Sequence, residues 1–390
     1  MKKLIGCKYA PITTVHDPLS MLGSIFWRWA EPDRFGLLNK YSPYNLTVRE
    51  DGILPTRISP KETMERLCLL KAEEIKAEYA NMPIVVLWSG GVDSTCILCS
   101  LLQVGVNPII LCTNESIAEY PALYEKLKKD GRPIELFSWL LGDKIYHRIH
   151  EKYGEVCYVI GWCADQLFGS NVNLRYPHLY LTNFKDGFKE ILKDRRAGSE
   201  LNAKEINNNL EIFDAYAKEI NLPIEYTCEA LWLFNFAIKW SHVSIDFKMT
   251  LPNDLYRKNV VNFFEDARFQ DWSIANYKTF HKHNQTLDKA NYKKPLKNVI
   301  FAYTKDEDYY LNKGKVNSWS SRSAKNYLQY TPFSILDEDG FHSFDLMANT
   351  EEGKGYIDCA MRQEINRRLY LKDYLKEGVD IERFLSMEGW

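Results

Sequence analysis

Two glycines, two serines, a threonine and an acid stand together in Ser89-Gly90-Gly91-Val92-Asp93-Ser94-Thr95. The apolar run Ile84–Leu87 and Trp88 lead into this stretch, and a second apolar run follows it. Glycines at such a place let the backbone turn sharply and keep Cβ atoms away, so amide N–H groups can surround an anion. A helix opening there adds roughly half a positive charge. The hydroxyls of Ser89, Ser94 and Thr95 add donors. Asp93 is out of place beside phosphates unless it holds a cation that bridges to them, which makes it a candidate Mg²⁺ ligand. The stretch matches neither G-x-x-x-x-G-K-[ST] nor G-x-G-x-x-G. Without the lysine that neutralises a transferring γ-phosphate, it better suits the capture of a leaving pyrophosphate.

The heptapeptide resembles the pyrophosphate loop of the N-type ATP pyrophosphatases. These include asparagine, β-lactam, GMP, NAD and argininosuccinate synthetases and tRNA-thiolating enzymes. The resemblance implies ATP cleaved between its α- and β-phosphates through an adenylylated substrate. Ser89, Gly90, Gly91, Val92, Asp93, Ser94 and Thr95 would then bind the nucleotide. A second segment, VIGWCADQLFGS at Val159–Ser170, is similar to Gly-x-Gly-Ala-Asp-Glu-x-x-Gly-Gly of asparagine synthetases. Gly161, Ala164, Asp165, Phe168 and Gly169 match, while Cys163, Gln166 and Ser170 replace Gly, Glu and Gly. In that family this aspartate shares the metal–pyrophosphate with the loop aspartate. Asp93 and Asp165 are therefore the implied Mg²⁺ ligands, Asp165 counts as catalytic, and Gly161 joins the nucleotide site. Leu111, Cys112 and Thr113 are implied to offer backbone groups to the adenine edge. Ser116 and Glu119 beyond them suit contact with the ribose or acceptor, or equally a helix cap with an acidic first turn. Tyr292–Trp319 resembles the family's terminal lysine segment, which nominates Lys315, or Lys313 across Gly314, to neutralise charge developing on the α-phosphate. A weaker likeness at Val260–Asn276 nominates Glu265, Arg268, Phe269 and Asp271; a structural Glu–Arg pair explains it as well.

These residues need a scaffold. Apolar runs at 84–87, 107–113, 133–139 and 155–162 alternate with helical patterns. Such alternation predicts a parallel α/β sheet covered on both faces, with its ligand beyond the carboxyl ends of the strands. The resemblance narrows this to the adenine nucleotide α-hydrolase-like pyrophosphatase core. Leu67, Leu70, Ile75 and Tyr79 share one face of a helix that precedes the first run. The expected organisation is a proline-interrupted segment over 1–80, the pyrophosphatase domain over 81–320, mainly helical beyond 180, and a helical, aromatic extension over 321–390. No glutaminase is expected, because Lys2 stands where glutamine-dependent asparagine synthetases carry their catalytic cysteine.

Composition sets outer limits. The 390 residues carry a net charge of −2, which implies no global attraction to nucleic acid. No apolar stretch is long enough to span a bilayer. Nine cysteines, an odd number and several inside apolar runs, favour reduced thiols and a cytoplasmic location. Cys96 and Cys99 share a helix face and read as packed thiols. The expected activity is an AMP-forming carbon–nitrogen ligase that uses ATP and Mg²⁺ to join a small carboxylate to ammonia or an amine. A separate ammonia-supplying protein and self-association are compatible with it; nucleic acid is disfavoured rather than excluded, and a membrane is not expected. A pyrophosphatase that modifies a nucleobase or tRNA, with or without sulfur transfer, is the alternative enzyme. A nucleotide-binding subunit without catalysis is the alternative from another class.

Overall fold

The computed structural model describes residues 4–8, 62–137, 144–169, 177–193, parts of 210–240, 259–279, 291–313, 330–337 and 340–347. Along the chain run β1 (Leu4–Lys8), α1 (Met64–Glu78), β2 (Ile84–Leu87), α2 (Val92–Gln103), β3 (Ile109–Cys112), α3 (Asn114–Glu119) and α4 (Pro121–Lys129). Next come β4 (Ile134–Leu136), α5 (Lys144–Tyr153), β5 (Cys157–Ile160), α6 (Ala164–Phe168), α7 (Phe184–Lys193) and α8 (Thr227–Leu233). The last are β6 (Val260–Asn262), α9 (Ala267–Asn276), α10 (Lys294–Thr304), α11 (Glu307–Asn312), β7 (Tyr330–Asp337) and β8 (Gly340–Met347). The chain divides into two units, one of residues 55–174 and 250–316, the other of 1–54, 175–249 and 317–390. These limits differ from divisions at 80 and 320: the second unit is assembled from three separated stretches.

The first unit is an α/β fold. Its five strands lie in the order β4-β3-β2-β5-β6, and every neighbouring pair is parallel. The residues of β3 and β5 are all buried, as expected of a parallel sheet covered on both faces. All four anticipated runs form strands, and β6 adds a fifth. The chain moves outward from β2 to β3 and β4, then returns to the other side of β2 for β5. This reversal is a topological switch point, where the crevice beyond the strand ends receives ligands in open α/β sheets. Helices α1, α2 and α10 pack on one another. Cys68 of α1 and Cys96 of α2 meet at 3.7 Å in that core. Cys68, Cys96, Cys99, Cys112, Cys157, Cys163 and Cys228 are all buried, and none of them is in a disulfide. Among the described residues no helix is long and apolar enough to cross a membrane.

Arg268 and Asp266, at the start of α9, tie that helix to α1. Arg268 pairs with Asp266 at 2.7 Å and with Glu74 at 2.6 Å, and Lys71 reaches Asp266 at 3.4 Å. Glu265 instead accepts from Asn262 Nδ2 at 2.9 Å. The Glu–Arg pairing suggested by sequence is thus an Asp–Arg–Glu clamp between two helices. Burial favours the neutral form of Asp266, but the hydrogen bonds and charges of Arg268 and Lys71 outweigh it and hold the carboxyl down at about 2. A depressed carboxylate stabilises the fold above its unfolded pKa and loses that contribution as pH falls through the folded value. Arg268→Ala is therefore expected to cost about 1 kcal/mol near neutral pH by urea unfolding. That deficit should shrink below the ordinary carboxylate pKa of about 3.9. A deficit that does not change with acidification would show that the clamp acts through packing alone.

In the second unit, β1, β7 and β8 form an antiparallel sheet in the order β1-β7-β8. The extension over 321–390, expected to be helical, thus contains a hairpin, and its residues beyond 347 lie outside the described residues. Helices α7 and α8 cross at Gly187, where a Cβ would lie 1.9 Å from Thr227 Oγ1. Glycine is the residue that allows that approach.

Candidate functional site

The stretch from Ser89 to Asp93 turns the chain from β2 into α2. Trp88 anchors the turn: its amide donates to Leu111 O at 2.9 Å and its indole N–H to Thr95 Oγ1 at 3.0 Å. Gly90 has φ +74, a left-handed conformation that favours glycine. The loop is held from within. Ser89 N–H donates to Ser94 Oγ at 3.0 Å, the two hydroxyls meet at 2.9 Å, and Gly91 N–H donates to Ser89 Oγ at 3.3 Å. Gly91 is the N-cap of α2 and offers no side-chain oxygen to the first-turn amides. That arrangement suits an external anion at the positive end of the helix.

Asp93 and Asp165 converge across the switch point. Asp93 lies in the first turn of α2 and Asp165 in that of α6, so the acids follow the neighbouring strands β2 and β5. Gly161, just after β5, packs against the start of α2: a Cβ there would lie 3.2 Å from Ile97 Cδ1 and 3.4 Å from Asp93 Cβ. Cys163, where the resemblance expects glycine, adopts φ +73 at the N-cap of α6. This conformation costs a non-glycine residue roughly 1 kcal/mol.

Between the acids sits Lys293, a residue sequence reasoning did not single out. Its Nζ donates to Asp93 Oδ1 at 2.6 Å and to Asp165 Oδ1 at 2.6 Å. The Lys293 side chain is 1% exposed, against 28% and 20% for the two acids. Its backbone is left-handed, at φ 47, immediately before α10. Burial alone would lower the pKa of this ammonium; the charges of Asp165 and Asp93 overcome that and raise it. A buried lysine in an uncommon backbone conformation, held by two acids at a sheet's switch point, has the marks of a functional group.

A scan against protein-family models finds no match to this chain. A search of curated proteins finds none either.

The other nominated residues fall into two sets. Ser89, Gly90, Gly91, Val92, Asp93, Ser94, Gly161 and Asp165 gather with Lys293 around the β2 and β5 ends. Thr95 is fully buried and its hydroxyl is taken by Trp88. Leu111, Cys112 and Thr113 are buried at the end of β3. The Leu111 carbonyl accepts from Trp88 and that of Cys112 from Phe137 N–H at 3.0 Å. Thr113 and Ser116 close a capping box at the start of α3. Lys313 is 8% exposed at its side chain and pairs with Glu119, while also donating to the Glu119 carbonyl at 3.2 Å. Lys315 lies outside the described residues.

Chemically, the gathered set offers an uncapped helix start, two carboxylates and an ammonium within one small volume. The carboxylates are hard donors that suit Mg²⁺, which commonly takes one or two of them and completes its shell with phosphate oxygens and water. Among the described residues no group of three or more His, Cys, Asp or Glu side chains comes together to hold a metal. An ion at Asp93 and Asp165 would need those outside ligands.

Proposed function

We propose that this chain is an ATP-dependent, AMP-forming carbon–nitrogen ligase of the N-type ATP pyrophosphatase kind, akin to the synthetase half of asparagine synthetases. The observation that carries the reading is the meeting of Asp93, Asp165 and Lys293 beside an uncapped helix start at the switch point of a parallel sheet. Such a place favours a phosphate-bearing ligand, because main-chain donors and an ammonium supply positive charge where negative oxygens would arrive.

In this reading the Ser89–Thr95 turn seats the β- and γ-phosphates. Asp93 and Asp165 would hold Mg²⁺, which supplies charge neutralisation to the departing pyrophosphate. Lys293, 2.6 Å from an oxygen of each acid, would hold the two carboxylates together before the metal and nucleotide arrive. A substrate carboxylate attacks the α-phosphorus, the bond to the β-phosphate oxygen breaks, and pyrophosphate departs onto the turn. Ammonia or an amine then attacks the acyl-adenylate, giving an amide and AMP. The contribution of the chain is chiefly positioning and electrostatics. Sulfur transfer is poorly supported: Cys96 and Cys99 are both fully buried in α2, and burial pushes the Cys99 thiol well up.

Incubation of the protein with ATP, Mg²⁺ and a panel of small carboxylates plus ammonium should release AMP and pyrophosphate, read by ³¹P NMR. ADP and phosphate as products would exclude this chemistry. Tight ATP binding without turnover across the panel would favour a nucleotide-binding subunit.

A further inference from the structure

We propose that Lys293 is the resident counter-cation of the Asp93–Asp165 pair, so that a divalent metal enters only together with a polyphosphate and not as the free ion. The inference rests on the reading that these two acids share a cation. Its basis is the geometry of the pair itself. One buried nitrogen lies 2.6 Å from an oxygen of each acid, occupying the point on which both oxygens converge. A Mg²⁺ bonding both oxygens needs contacts of about 2.0–2.1 Å. It would therefore take the space between them that the ammonium fills, and the two cations exclude each other there.

Displacing the ammonium is the costly step. Lys293 is 1% exposed, so its charge cannot simply retreat into water. Left behind without an acid, it would be a buried charge lacking its counter-ions, which is strongly unfavourable. A free divalent ion offers nothing to replace them. A polyphosphate does: it brings the oxygens that complete the metal's shell and a negative group to which the ammonium can transfer its hydrogen bonds. Charge counting agrees. Two carboxylates and an ammonium sum to −1; a free divalent ion would make the cluster +1, whereas a metal–polyphosphate complex adds no positive excess. Lysine thus keeps the acids together and neutralised between turnovers.

The test uses Mn²⁺ alone as the probe, with free Mn²⁺ followed by electron paramagnetic resonance on the full chain without nucleotide. Wild type should bind it weakly. Lys293→Met, similar in size but uncharged, should bind a single Mn²⁺ roughly 100-fold more tightly. Lys293→Arg, which keeps the charge, should resemble wild type. Wild-type protein with a non-hydrolysable ATP analogue should take up the Mn²⁺ that it refuses alone. Should Lys293→Met fail to fold, Lys293→Gln serves the same comparison, and the analogue experiment needs no variant. Wild type taking free Mn²⁺ as tightly as the neutral variant, or no uptake with the analogue, would overturn the proposal. The outcome separates from that of the ligase reading. AMP release together with tight wild-type Mn²⁺ binding removes only the counter-cation role. No AMP release together with a gained Mn²⁺ site in Lys293→Met removes only the ligase.

Discussion

Replacing Asp93 with Asn is expected to lower the proposed AMP release from ATP by at least about 100-fold while leaving the fold in place. The shape of the side chain is kept, and Lys293 retains its partner Asp165 at 2.6 Å, so no buried ammonium is stranded. What is lost is one of two charges at the mouth of the Ser89–Thr95 turn. A carboxylate beside phosphates is repulsive by itself and becomes useful only through a bridging cation. The variant should therefore separate two quantities that a merely structural aspartate would not. Affinity for ATP without divalent metal should stay the same or rise, because a repulsive charge has gone. The gain in affinity that Mg²⁺ gives the wild type should disappear. Calorimetric titration of ATP with and without Mg²⁺ reads both, and product analysis reads turnover. Near-normal AMP release by Asp93→Asn would mean that the acid merely braces Lys293, and the reading of the site would fail.

How much of this was legible in the sequence follows from how local each signal is. The strands β2 to β5 announce themselves as short apolar runs between helical patterns, since a parallel strand buried on both faces has no other way to appear. Gly131 is a local helix-stop signal of the same kind, and it adopts φ +68 just beyond α4. Strand β6 is three residues long and gains its meaning only from pairing with β5, more than a hundred positions earlier. The β7–β8 hairpin had a local signal that went unused: Asp339-Gly340 between two aromatic, β-branched runs is a turn pattern. Asp93 and Asp165 were legible because each sits at a strand end next to glycines. Lys293 was not. It lies 200 residues from Asp93 in a Tyr-Lys-Lys-Pro stretch where nothing local sets one lysine apart from its neighbours. Only the packing of α10 against α2 carries its ammonium to the acids. The pairing of Lys313 with Glu119 was hidden for the same reason.

Gly90→Ala is expected to cost roughly 2–4 kcal/mol and to abolish nucleotide binding. Two effects add. At φ +74 any Cβ is strained, by about 1–2 kcal/mol. That Cβ would also lie 2.4 Å from Ser116 O and 2.6 Å from Glu119 Cβ. Neither neighbour yields easily. The Ser116 carbonyl belongs to α3, which is fixed by the Thr113–Ser116 capping box, and Glu119 is tied to Lys313. Tyr309, stacked on Tyr120 with ring centroids 3.9 Å apart, contacts Gly90 O from beyond the turn at 3.4 Å. The turn therefore has to lift off α3, which moves the amides that would hold phosphate. Gly91→Ala is the control, because Gly91 has φ −73 and a Cβ there would meet only Ser89 Oγ, at 3.3 Å. Its cost should stay under about 1 kcal/mol. Urea unfolding of both variants, with ATP titration, measures the contrast. If the two substitutions cost the same, the glycines are kept for open space above the turn, and the seat on α3 is not what fixes its shape.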